Sequence, residues 1–152
     1  MNTEKLTTNI RFAFAVSHSN LFEATHFGDA DKYLIFEWNG NDISYQDEII
    51  NKFKSFDEEQ KHGSKKKGNS IIELLQKSNI QVLVSKQFGR NIKMVNKFFI
   101  PVIIDKEKHE EALAILAHHI EWINEELNKK ETEYKLFIIK NGILKTNVTQ
   151  TK

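Results

Sequence analysis

The hydrophobic and polar positions of the chain divide its first part into three strand-like segments. In residues 10–16 large apolar side chains alternate with alanines and one arginine. A run that is apolar on both faces is typical of a strand packed on both sides in the centre of a sheet. Residues 32–38 are rich in aromatic and branched side chains and predict a second strand. Asn39-Gly40 favours a tight hairpin turn into a third strand from about Ile43.

The middle of the chain alternates helix-like and strand-like segments. Ser70–Glu73 has the pattern of a capping box and predicts the start of a short helix. Residues 80–84 form a compact apolar run that predicts a buried strand, and residues 91–97 predict a second short helix. Residues 99–104 predict a further strand. Pro101 places that strand at the edge of the sheet, because proline has no N–H to donate to a neighbour.

The last part of the chain predicts one long helix and a hairpin. Apolar residues recur at spacings of three and four over residues 106–129, with Asp105 placed as the N-cap. Residues 134–140 and 143–148 are strand-like, and Asn141-Gly142 between them is a strong turn signal. The pattern therefore predicts a helix of about seven turns followed by a β-hairpin.

Three polar segments interrupt this pattern. Residues 17–31 form a loop that is longer than usual, and residues 85–90 form a shorter one. Residues 55–69 lose the apolar periodicity and contain the run Lys65-Lys66-Lys67, which we interpret as part of a solvated, mobile loop. Long ordered loops in small domains often carry function.

The order of elements predicts a mixed α/β sheet with helices on both faces. The simplest arrangement pairs the strand at Ile10 with the strand at Ile80 in parallel, so that loops 17–31 and 85–90 leave the same edge of the sheet. The connections diverge at that point, and open α/β sheets bind ligands at such switch points. We therefore expect a binding site where these two loops meet.

Composition excludes several classes of function. The 152 residues are 39% hydrophobic and 28% charged, as expected for one folded domain, and 22 basic against 21 acidic residues leave a net charge of +1. Neither nucleic acid nor an acidic membrane is therefore an expected partner. The absence of cysteine excludes disulfides, thiolate nucleophiles and cysteine-held metals. The first residues lack the apolar core of a signal peptide, and we expect a cytoplasmic protein.

Two histidines in the long loop are candidate metal ligands. A neutral imidazole is a good ligand for iron, zinc or copper, and His26 is the stronger candidate, with His18 near the same place. The alternative for His26 is a loop histidine that hydrogen bonds to backbone and positions Phe27 as a plug in the core. Gly28 is expected to allow a backbone conformation closed to other residues.

The shorter loop offers candidates for binding an anion. Gly89 lies in this loop, and Arg90 and Lys86 carry positive charges that would neutralise an anionic ligand. The alternative is an ordinary basic surface. The strand at residues 10–16 contains no carboxylate, whereas a metal-dependent nuclease needs converging carboxylates to hold its two divalent ions. We therefore expect a non-catalytic protein.

The two loops and the segments around them resemble the dinitrogenase iron-molybdenum cofactor biosynthesis family over about residues 10–127. The resembling segments are the strand at 10–16, the motif His26-Phe27-Gly28, the strand at 33–37, residues 71–75 before 80–84, and residues 99–102. The resemblance implies a three-layer ribonuclease H-like motif fold with a mixed five-stranded sheet, to which this chain adds a C-terminal β-hairpin. The domain would cover residues 10–129, with an extension at 130–152.

The same resemblance implies a carrier of a metal cluster. An iron–sulfur or iron–molybdenum cluster would be the cofactor, and a donor or acceptor of that cluster would be the protein partner. The expected cofactor-binding residues are His18, His26, Gly28, Gly89 and Arg90, with His26 and His18 as metal ligands. The alternative function is a metal-free interaction or homodimerisation module that uses the edge of the C-terminal hairpin.

Overall fold

The structure is a computed structural model that describes residues 9–54, 65–129, 132–139, 143–146 and 148. Within these residues all seven strands join a single sheet, with the order β3-β2-β1-β4-β5-β6-β7. The strands are β1 (Ile10–Val16), β2 (Lys32–Trp38), β3 (Ile43–Ile50), β4 (Val82–Ser85), β5 (Ile100–Ile104), β6 (Leu136–Ile139) and β7 (Ile143–Thr146). The predicted bounds of β1 and β2 are confirmed.

The sheet is mixed. β1, β4, β5 and β6 are parallel neighbours, whereas β2 is antiparallel to both β1 and β3, and β7 is antiparallel to β6. The predicted parallel pairing of β1 with β4 is confirmed, with Phe12 opposite Val82 and Phe14 opposite Val84. The helices are α1 (Lys65–Lys77), α2 (Ile92–Val95), α3 (His109–His118) and α4 (Ile120–Lys129).

Alternate residues of β1 supply two separate cores, one on each face of the sheet. Phe12 and Phe14 belong to the core that α3 and α4 cover, and Ala13 and Ala15 belong to the core beneath α1 and α2. The small side chains on the second face leave room for large neighbours such as Tyr33, which is fully buried. The predicted three-layer α/β fold with helices on both faces is confirmed.

Pro101 does not mark an edge strand, and that prediction is wrong. β5 lies between β4 and β6, and Pro101 pairs with Leu83 of β4. The N–H of Ile100 points towards β4, where it donates to the carbonyl of Gln81, so the nitrogen of Pro101 points to the other side. Pairing with β6 begins only at Val102. The N–H that Pro101 lacks would therefore point towards β6, one residue before β5 begins to pair with β6.

The helix predicted over residues 106–129 is broken in two. His119 has φ −114° and ψ 27°, which ends α3 before α4 begins at Ile120. Asp105 is not the N-cap, because α3 begins later and Lys108 occupies that position. The apolar stripe runs across the break without a change of spacing, and therefore the sequence pattern carries no sign of it.

The lysine run is helical, contrary to the predicted loop. Lys65, Lys66 and Lys67 form the first turn of the described part of α1, and Ser70 lies inside the helix instead of capping it. Lys67 is only 4% exposed. The rest of the predicted loop, residues 55–64, lies outside the described residues.

The predicted C-terminal hairpin is confirmed and belongs to the main sheet. β6 and β7 pair antiparallel, and β6 also pairs in parallel with β5. Phe137 and Ile139 of β6 are fully buried in the core under α3 and α4. The hairpin therefore widens the sheet from five strands to seven. None of the described helices is long and apolar enough to cross a membrane.

Candidate functional site

The long loop after β1 and the short loop after β4 meet at one edge of the sheet, as predicted. The N–H of Phe27 donates to the carbonyl of Gln87 over 3.1 Å, and the Gln87 side-chain amide donates to the carbonyl of Ala24 over 3.2 Å. His26 and Gln87 form an isolated parallel bridge. The carboxyl ends of two adjacent parallel strands thus present one continuous loop surface.

A third loop joins them, and the sequence analysis missed it. The N–H of Phe22 donates to the carbonyl of Glu107 over 2.9 Å, in the connection between β5 and α3. The carboxylate of Glu107 also forms an ion pair with Lys86 of the short loop. No sequence motif marks Glu107, but β5 is parallel to β4 and its carboxyl end must lie at the same edge.

The ring of His26 lies between two glycines, one from each of the first two loops. A Cβ on Gly28 would lie 3.3 Å from Nδ1 and Cε1 of the ring, and a Cβ on Gly89 would lie 3.4 Å from Cγ and Cδ2. Gly89 has φ +65°, which an L side chain rarely adopts, whereas Gly28 has no positive φ, so the special backbone conformation predicted for Gly28 is wrong. The His26 side chain is 34% exposed. Gly28 therefore leaves space for the imidazole, while Gly89 is required by its backbone conformation.

The two ring nitrogens of His26 have different partners. Nδ1 accepts a hydrogen bond from the N–H of Gly28 at 3.2 Å, which caps the short 3-10 turn Phe27–Asp29. Nε2 lies 3.6 Å from Oδ2 of Asp29, beyond hydrogen-bond distance. Phe27 is buried and packs on Phe88. The loop therefore has both features of the alternative interpretation, a histidine that caps a turn and a phenylalanine buried in the core. The imidazole is nevertheless partly exposed.

Asp29 and Lys67 form a second polar layer beneath the ring. Nζ of Lys67 lies 3.0 Å from Oδ1 of Asp29, and the hydroxyl of Thr25 donates to Oδ2 over 2.8 Å. Burial by itself raises the pKa of Asp29, but these hydrogen bonds, together with the electrostatic effects of His26 and Lys67, outweigh it and hold the pKa below 3.8. Asp29 is therefore an ionised carboxylate whose charge is balanced from α1.

Two buried side chains fix the turn that carries His26. The side-chain amide of Asn51 donates to the carbonyls of Gly28 and Ala30 over 3.0 and 2.8 Å. The hydroxyl of Tyr33 donates to the carbonyl of Phe27 over 2.8 Å, and burial raises the pKa of this phenol, which keeps it a neutral donor. Buried carbonyls with these partners hold their positions, since losing a partner costs about 1–3 kcal/mol.

His18 occupies a separate position in the long loop. Its side chain is 79% exposed, and its Nε2 lies 3.8 Å from Asp31, whereas His26 faces Asp29. A hydrogen bond from Lys54 and another from the backbone of His18 lower the pKa of Asp31. Within the described residues no group of three or more histidine, aspartate or glutamate side chains is arranged to hold a metal ion.

The predicted cationic residues differ in their surroundings. Lys86 is paired with Glu107, whereas Arg90 is exposed in a 3-10 turn and makes no ion pair with any residue that the structure describes. Arg90 directly follows Gly89, which lies beside the His26 ring. Arg90 is therefore a charge next to the candidate site that no described residue neutralises.

Two open grooves lie at the opposite end of β1 and β4. They have volumes of about 450 and 570 Å³ and share Gln76 and Phe98. Their linings mix side-chain amides with apolar residues, and Arg11 is already paired to Glu37 at 2.9 Å. Neither groove contains a histidine, and both lie away from the carboxyl ends of the parallel strands, where ligands of α/β sheets bind. We therefore place the candidate site at His26.

Comparison with protein families gives a match over most of the chain. Residues 8–118 match the profile of the family described as dinitrogenase iron-molybdenum cofactor. The matched region covers β1 to β5 and α1 to α3, and it contains every residue of the candidate site described above. α4 and the C-terminal hairpin lie outside it. No curated protein matches the chain.

Proposed function

The chain belongs to the dinitrogenase iron-molybdenum cofactor family, which links it to the biosynthesis or binding of that cofactor, and from this premise we propose that it is a non-catalytic carrier. Its cargo is a metal cluster of the iron–sulfur or iron–molybdenum type, seated on the loops that follow β1, β4 and β5. A protein that donates or accepts this cargo is the expected partner. A cytoplasmic location is part of the proposal.

The observation that supports the proposal most directly is the position of the His26 ring between two glycines. A ring that lies between Gly28 and Gly89 and is 34% exposed presents a nitrogen in a fixed direction. Rigid loops at the carboxyl ends of parallel strands are where α/β sheets bind ligands. A carrier needs such a presented group and a nearby positive charge, whereas it needs no general acid or base.

Charge complementarity supports an anionic cargo. Arg90 next to Gly89 supplies a positive charge that no described residue neutralises. Asp29 is the acid nearest to the His26 ring, and Lys67 balances it. His18, exposed in the same loop, is proposed as a secondary contact.

Anaerobic reconstitution tests the proposal. Wild type, His26→Ala and the matched control His118→Ala would each be mixed with isolated iron–molybdenum cofactor and passed over a desalting column. His118 is an exposed histidine on α3, outside the site. We expect molybdenum and iron to remain with wild type and His118→Ala and to be reduced at least tenfold in His26→Ala. No retention by wild type, or equal retention by all three proteins, would contradict the proposal.

A second candidate function follows from the position of β7. It is the last strand in the sheet order, so no further strand of the described chain pairs with its outer side. Such an edge can add a strand from a partner or from a second copy of the chain. Removing residues 140–152 deletes β7 but keeps β6. Sedimentation that shows a dimer in the full chain and a monomer in the shortened one would support this function, and a dimer in both would exclude it.

A further inference from the structure

The tautomer of His26 is set by its backbone partner. Nδ1 accepts the N–H of Gly28, so Nδ1 carries no proton, and the single proton of the neutral ring is on Nε2. Nε2 is not among the ring atoms nearest to either glycine, the side chain is 34% exposed, and the 3.6 Å separation of Nε2 from Asp29 is too long for a hydrogen bond. The ring therefore presents an N–H donor at Nε2 instead of a lone pair.

The peptide that sets this tautomer is itself fixed. The N–H of Gly28 belongs to the peptide group that joins Phe27 to Gly28, and the carbonyl of that same group accepts from the buried hydroxyl of Tyr33 at 2.8 Å. The next carbonyl, that of Gly28, accepts from Asn51 at 3.0 Å. Rotating the peptide to remove its N–H from Nδ1 would break the hydrogen bond to Tyr33 as well.

Coordination of a metal by either nitrogen conflicts with this arrangement. A metal at Nδ1 would have to occupy the space where Gly28 already lies, since a Cβ there would be 3.3 Å from that nitrogen. A metal at Nε2 would displace the proton to Nδ1, where it would face the N–H of Gly28. Histidine ligands instead normally donate their second N–H to a carbonyl or a carboxylate.

We infer that His26 holds its cargo by donating a hydrogen bond from Nε2 to an anionic oxygen or sulfur atom on the surface of the cluster, and not by bonding to a metal. This inference rests on the proposed carrier function. A hydrogen bond to a charged acceptor is shorter and about twice as strong as one between neutral groups. The role resembles that of the N–H groups that cradle anions elsewhere, with a side chain in place of the backbone.

Two substitutions separate the functions of the two nitrogens. In His26→Gln the side-chain amide reaches about as far as Nε2 and keeps a donor there, while the acceptor for Gly28 is lost. In His26→Asn the short side chain keeps an acceptor for Gly28, as a good N-cap residue, while the exposed donor is lost. Retention of isolated iron–molybdenum cofactor and the thermal midpoint would be measured for both variants and for wild type.

We expect the two variants to differ in how much cofactor they retain. His26→Gln should retain cofactor within about threefold of wild type, whereas His26→Asn should retain at least tenfold less although it unfolds at a similar temperature. Pulsed electron paramagnetic resonance on wild type with ¹⁵N-labelled histidine should show only weak nitrogen coupling. Strong coupling from a directly bonded nitrogen, or loss of cofactor in His26→Gln equal to that in His26→Asn, would overturn it. No retention by wild type would instead overturn the carrier function itself.

Discussion

Nζ of Lys67 lies 3.0 Å from Oδ1 of Asp29, and this contact joins the first described turn of α1 to the turn that carries His26. The two residues are far apart in the chain, and the lysine side chain is only 5% exposed. The candidate site is therefore held by the helix layer below it as well as by the strand ends around it.

Replacing Lys67 by methionine should destabilise the fold measurably. The change removes a buried cation and leaves Asp29, about one-third exposed, without one of its two side-chain hydrogen-bond donors, so we expect a loss of about 1–3 kcal/mol. Urea unfolding at pH 7 measures it. Lys54→Met is the matched control, because Lys54 pairs with Asp31 while half exposed and should cost less than about 1 kcal/mol. Equal losses would contradict the structural role of Lys67.

The contribution of Asp29 should disappear in acid. Its folded-state pKa lies below the ordinary value of 3.8, so the stability from its ionised form is fully present above that value and is lost as the pH falls through the folded-state pKa. Asp29→Asn should therefore be less stable than wild type at pH 7 and equally stable below the folded-state pKa. Unfolding curves at a series of pH values test this. A difference that does not change with pH would show that charge is not the cause.

Asn51→Ala should loosen the turn that presents His26. The substitution leaves the carbonyls of Gly28 and Ala30 without a side-chain donor in a buried position, and we expect a loss of about 2–3 kcal/mol. Asn69→Ala on the exposed side of α1 is the control and should change stability by less than about 0.5 kcal/mol. Hydrogen exchange at the N–H of Gly28 should accelerate in Asn51→Ala only.

Gly89→Ala should reduce stability through its backbone conformation. With φ +65° an alanine would cost about 1–2 kcal/mol, while its Cβ would make only ordinary contact with the His26 ring at 3.4 Å. Asparagine tolerates this conformation better than alanine, so Gly89→Asn should recover part of the loss. Thermal unfolding compares the three proteins. If asparagine were worse than alanine, crowding of the ring would be the cause instead.

Sequence patterns predicted the sheet more completely than the site. The alternation in β1 and the branched residues of β2 gave their bounds correctly, because strand burial on both faces leaves a direct mark in the sequence. His26, Gly28 and Gly89 were placed together from strand order alone, and the structure brings them into contact. Contacts between polar side chains of different loops depend on how distant strands and helices pair and pack. No local sequence pattern contains that information.

The spacing of Lys67 from the apolar residues of α1 indicates that it is buried. It lies four residues before Ile71 and eight before Leu75, both fully buried, and so belongs to the inward face of α1. The three consecutive lysines concealed this because a charge run is usually solvated. Asn51 and Tyr33 gave no comparable signal, since their partners are backbone carbonyls in a turn whose position depends on the whole sheet.

The seven-stranded sheet keeps the C-terminal hairpin apart from the strand that leads to His26. β6 and β7 extend it beyond β5, and β4 and β5 stand between the hairpin and β1, from whose end the long loop departs. Substitutions in β7 are therefore expected to change the surface at that end of the sheet without changing the loops around His26. The proposed partner contact and the proposed cluster site thus belong to separate parts of the sheet.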